Sequence, residues 1–142
     1  MFHRIVLLCL SLASICSLAG CGGSGLDTVP AGGVVTLNGT PIAKISVAFM
    51  PKDGKGQIAE GVTDEQGKFE LQTREPGDGA LAGEYLVSLR AVPDEVPQMP
   101  GFPGAKPPPS PIPLKYGDTS KSGFNAKVEA SGKNEFTFDL KS

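Results

Sequence analysis

From residue 31 onward the chain alternates apolar and polar positions with a period of two. Val35 and Leu37 flank Thr36, and Asn38-Gly39, a preferred tight-turn pair, follows. Ile45, Val47 and Phe49 alternate with Ser46, Ala48 and Met50, and a loop runs from Pro51 to Gly56. Ile58 to Thr63 fits a third strand. "DEQG", Asp64 to Gly67, reads as a hairpin turn before Phe69 and Leu71, and "EPGDG", Glu75 to Gly79, breaks the pattern again. Tyr85, Val87 and Leu89 form the next run. Phe124, Ala126 and Val128 alternate, "SGKN" turns, and Phe136, Phe138 and Leu140 close the series. Seven short strands separated by turns, with no helical period, predict an all-β antiparallel sandwich over residues 31–142. Each strand offers one apolar face, as expected where two sheets pack on each other and meet water outside.

Between Leu89 and Phe124 the alternation stops. Nine of the thirteen prolines fall from Pro93 to Pro113. Proline lacks the ladder donor, so this insert, residues 91–123, is expected as a polyproline-like run over the surface. Either it carries the chain across to the other sheet or it presents a docking segment. Met99, Phe102, Ile112, Leu114 and Tyr116 give it apolar grip for both roles.

The only helix-like stretch lies at the start. Met1 to Arg4 is cationic, and Ile5 to Ala19 is fifteen mostly apolar residues. That is shorter than the roughly 20 residues a spanning helix needs. A charged start, a short apolar run and a small-residue exit describe a secretory signal peptide, residues 1–20. Residues 21–30 then hold Cys21 and a Gly- and Ser-rich tether.

Removing residues 1–20 changes the chemical inventory. Cys9, Cys16 and His3 leave, so Cys21 has no partner cysteine and no histidine survives. A disulfide framework, a common His/Cys zinc site and a Ser-His-Asp or Cys-His catalytic arrangement are all excluded on that reading. No cofactor is expected. Fifteen acids stand against the twelve bases left without Arg4, a net charge of −3. So mild a balance argues against a nucleic-acid partner, which wants a concentrated basic patch.

The remaining polar clusters read as turns. Asp53, Asp64 and Glu65 could offer oxygens to calcium, but their spacing is not that of a calcium loop. Glu75 and Asp78 bracket Pro76-Gly77 as a turn, and no carboxylate pair is marked for glycoside hydrolysis. Lys115 and Lys121 read as solvated charges. Of eight aromatics after residue 20, Phe49, Phe69, Phe124, Phe136, Phe138 and Tyr85 face inward by pattern. Phe102 and Tyr116 remain as the candidate binding residues for a small ligand or carbohydrate at the cell surface.

Two resemblances build on these residues. Leu18-Ala19-Gly20-Cys21, directly after the apolar run, resembles the lipobox of bacterial lipoproteins. The resemblance implies cleavage between Gly20 and Cys21, a diacylglyceryl thioether on the Cys21 sulfur and, usually, acylation of its new amino group. The expected address is the cell envelope, with the membrane as a partner through that lipid. Gly22 is not the aspartate that retains lipoproteins at the inner membrane of some enteric bacteria, which favours the outer membrane.

The second resemblance covers most of the remaining chain. "GGVVTLNGTPIAKISVAFMP", "GVTDEQGKFELQT" and "GEYLVSL" are similar to the carboxypeptidase regulatory-like domain. The matching positions are Gly33 and Val35, Gly39 to Ile42, Ile45 to Phe49, Thr63 to Phe69, and Gly83 to Tyr85. From Ile112 to Leu140 the chain departs from that generic pattern and resembles a version found in small lipoproteins of planctomycete-type bacteria. The resemblance implies a transthyretin/prealbumin-like, seven-stranded Greek-key sandwich that holds no catalytic residue. Gly67 is expected at positive φ, Asp64 bonded to its own turn, and Tyr85 with its ring buried and its hydroxyl on a loop backbone. Together these readings predict a non-catalytic envelope lipoprotein with a structural or protein-interaction role and an envelope protein or glycan as partner.

Overall fold

The computed structural model describes residues 27–93 and 109–142. These fold into ten strands: β1 (Thr28–Val29), β2 (Ala31–Leu37), β3 (Thr40–Pro41), β4 (Ile45–Pro51), β5 (Ala59–Val62), β6 (Lys68–Glu70), β7 (Ala80–Leu81), β8 (Gly83–Ala91), β9 (Phe124–Val128) and β10 (Asn134–Leu140). A single 3-10 turn, Leu114–Gly117, precedes β9, and no α-helix occurs among the described residues. The seven alternating runs all fall on strands. The three additional strands have two residues each, too short to show a period.

One sheet runs β5-β4-β8-β9, antiparallel throughout. The other centres on β2, with β10 on one side and β3 and β6 on the other. The two sheets meet at a corner where Glu60 and Gln72 exchange backbone hydrogen bonds of 2.9 and 2.8 Å. One pairing differs from the all-antiparallel expectation. β10 runs parallel to β2 over seven residues, from Asn134↔Ala31 to Leu140↔Leu37. Alternation marks which face of a strand is buried, but carries no information on the direction of its neighbour. Gly33 permits this close pair: a Cβ there would stand 1.9 Å from the Phe136 carbonyl oxygen.

The inner faces share one core. Val35, Ile45, Val47, Phe49, Leu71, Val87, Leu89, Val128 and Leu140 are all essentially inaccessible. Phe49 at its centre contacts rings from the opposite sheet, Phe136 at 5.2 Å and Phe138 at 6.0 Å between centroids. The result is a β-sandwich-like arrangement in which Phe49 meets Phe136 and Phe138 edge to face while Phe138 stacks on Phe69 and Phe136, both geometries that ring quadrupoles allow.

Turn chemistry follows the sequence closely. Asn38 and Gly39 have φ of 50° and 84°, both in the left-handed region that this two-residue hairpin requires. Gly67 has φ of 72°, and Asp64 Oδ1 accepts from the amides of Gln66 and Lys68 at 2.9 Å. Asp78 likewise accepts from the amides of Thr73, Arg74 and Glu75. Tyr85 is buried and its hydroxyl donates to the Leu81 carbonyl at 2.8 Å.

Among the described residues, the connections between strands lie at two opposite ends. At the entry end are residues 27–30, the loops 52–58 and 71–82, and the 129–133 turn. The insert end holds the 38–44 and 63–67 turns, the start and return of the insert, and the last residues. β1 pairs with β7, so the ordered domain begins before Pro30, inside the stretch expected to be tether.

Candidate functional site

Gly20 and Cys21, with the other residues of the expected signal peptide and residues 22–26 of the expected tether, lie outside the described residues, as do Met99 and Phe102. Tyr116 is described, and it corrects the expectation of an exposed aromatic. It is 5% exposed, with its ring stacked on Phe124 at 5.7 Å. Its hydroxyl donates to the Lys141 carbonyl at 3.2 Å and accepts from the Lys141 amide at 2.9 Å. A ring enclosed in this way offers no face to a sugar. The cause is the 3-10 turn, which swings the side chain inward beside the end of β10.

The returning half of the insert is thus part of the folded body. Ile112 and Ser122 are buried, as Tyr116 is. The Ser122 hydroxyl donates to the Val87 carbonyl at 2.5 Å, and Arg90 places two guanidinium nitrogens on the Gly117 carbonyl at 3.2 and 2.9 Å. These bonds tie the returning segment to β8 just before β9 begins at Phe124.

Where the insert leaves and returns, an apolar groove of about 900 Å³ opens at the insert end. Ile42, Val92, Pro109, Ile112 and Leu114 line it, with Arg90 and Asp118 at its rim. Leu114 is 84% exposed. Neither the groove nor Arg90 was signalled in the sequence, since both depend on how the insert returns.

Several carboxylates are held in place by local bonds. Asp139 accepts from Lys141 Nζ, the Gly39 amide and the Thr36 hydroxyl, which together lower its pKa to about 2, the lysine foremost. Asp118 is lowered chiefly by the Ser120 hydroxyl, and Asp78 chiefly by the Thr73 amide. Asp53 and Asp64, weighed together as calcium ligands, sit at opposite ends of the domain, and each caps its own turn. Among the described residues no three His, Cys, Asp or Glu side chains converge. No family model, curated protein or solved structure matches the chain.

Proposed function

We propose that this chain is a lipid-anchored, envelope-facing β-sandwich, of the carboxypeptidase regulatory-like, Greek-key type, with a structural or protein-interaction role and no catalysis. The observation that carries the reading is Leu18-Ala19-Gly20-Cys21 directly after a fifteen-residue apolar run behind a cationic start. Burial of the apolar residues in a shared core, and the use of its turn carboxylates as caps, supports a scaffold role.

The chain's geometry gives this anchor a consequence. Six peptide steps separate Cys21 from Asp27, a reach of about 20 Å at most. The domain would therefore stand close to the bilayer on its entry end. The roots of the insert and the groove would project away by about the length of β8, roughly 30 Å. Several acyl chains hold such a protein firmly, because each buried methylene adds about 0.8 kcal/mol whereas one chain alone is marginal.

Cys21→Ala with cell fractionation tests the anchor. The variant is expected to leave the membrane fraction or to accumulate uncleaved. A variant that stays membrane-bound at the same mass as the wild type, once the one-residue difference is subtracted, overturns it. The alternative, a small-ligand or carbohydrate-binding module, no longer has Tyr116 as a platform, and its remaining support is Phe102, outside the described residues, and the groove.

A further inference from the structure

The Tyr116 hydroxyl bonds both the amide and the carbonyl of Lys141, so both backbone groups of that residue point away from β2. Backbone direction alternates along a strand. The same alternation follows independently from β2. Its Ala31 carbonyl accepts from the Leu71 amide and its Val35 amide donates to the Gly67 carbonyl, so the odd residues of β2 face β6 and the even ones face β10. In the parallel register, Phe136, Phe138 and Leu140 then direct their backbone groups at β2, while Glu135, Thr137 and Asp139 direct theirs outward.

Those three residues form an open window. At one end it stops at the 129–133 turn, pinned by the Asn134 side chain to Glu129. At the other end Tyr116 already stands where a neighbouring strand's peptide would be. Between them, among the described residues, nothing pairs with the outward amides and carbonyls of Glu135, Thr137 and Asp139. An unpaired strand edge of this kind is a template for another strand.

We propose that this edge of β10 receives an extended segment of a partner protein with a basic residue opposite Glu135; Asp139 is already engaged by Lys141, Gly39 and Thr36. Charge selects the occupant. Glu135 is exposed and has no ion-pair or hydrogen-bond partner among the described residues. A second copy fits poorly: antiparallel pairing centred on Thr137, which uses the whole window, puts each Glu135 opposite the other copy's Asp139, a like charge already compensated by its own Lys141, so Glu135 gains no cation. Sliding the copies by two residues meets Tyr116 in one direction and the 129–133 turn in the other. Part-buried Phe136 offers apolar surface to alternate side chains of the incoming strand.

The proposal rests on the domain being an interaction module and is independent of Cys21, so its test and the fractionation test fail separately. The full chain, purified in mild detergent, is followed by amide hydrogen exchange with and without millimolar peptide Lys-Val-Thr-Val-Lys or Glu-Val-Thr-Val-Glu. In the free chain the amides of Glu135, Thr137 and Asp139 are expected to exchange about ten-fold or more faster than those of Phe136, Phe138 and Leu140. The lysine peptide should slow these three by about three-fold or more, and the glutamate peptide should not. Glu135→Lys, an exposed change that leaves the core intact, should weaken the response to the lysine peptide. The proposal is overturned if the three amides are already protected in the free chain, which would mean that a second copy or residues 94–108 cover the edge. It is equally overturned if the lysine peptide slows nothing, or if both peptides act alike.

Discussion

Tyr116 does two jobs with one side chain. Its ring fills the gap beside Phe124, and its hydroxyl stands in for a strand at the end of β10. Tyr116→Phe keeps the ring and leaves Lys141 without either bond. Urea unfolding should show a loss of about 1 kcal/mol, the net worth of a hydrogen bond whose partner residue, Lys141, is exposed. No measurable change would mean that water replaces the hydroxyl. Asp139 makes a pH prediction. Its folded pKa of about 2 lies below its ordinary value, so the folded state binds fewer protons than the unfolded chain between the two. The stabilisation is complete above about pH 4 and is lost as pH falls towards 2. The gap in thermal midpoint between wild type and Asp139→Asn should be widest near pH 5 and narrow by pH 2.5. A gap that widens on acidification would contradict the assigned bonds.

Elements differ in how openly they were written. The strands holding Ile45 to Phe49 and Tyr85 to Leu89 were legible because each buries one face, and burial imposes the two-residue period. Asn38-Gly39 and Asp64 to Gly67 were legible because their backbone needs those residue types. The partner of β10 was not, since the same alternation serves parallel and antiparallel neighbours. Tyr116 was misplaced because, among prolines, it has no strand register to tell inside from outside. Its burial depends on the 3-10 turn. The parallel pair rests on Gly33, where Ala would drive a methyl group into the Phe136 backbone. Gly33→Ala should cost about 3 kcal/mol in urea unfolding, and a near-neutral result would show that β2 and β10 can separate without loss. The candidate site was legible only in part. Cys21 stood out by its context, whereas the groove and the free edge arise from tertiary placement alone.

At the scale of the whole molecule, polarity is the organising feature. Residues 27–30 enter at one end, and the insert departs and returns at the other, with the window on β10 along the side between them. An anchor at Cys21 would turn this polarity into an orientation: entry end to the membrane, insert away from it. The account therefore depends most on what happens at that cysteine. The direct measurement is the intact mass of the chain purified from membranes of its native host, with fragmentation of its N-terminal peptide. The account predicts a protein of residues 21–142 carrying a diacylglyceryl group on the Cys21 sulfur. A chain that retains residues 1–20, or that begins elsewhere with an unmodified Cys21, would contradict it.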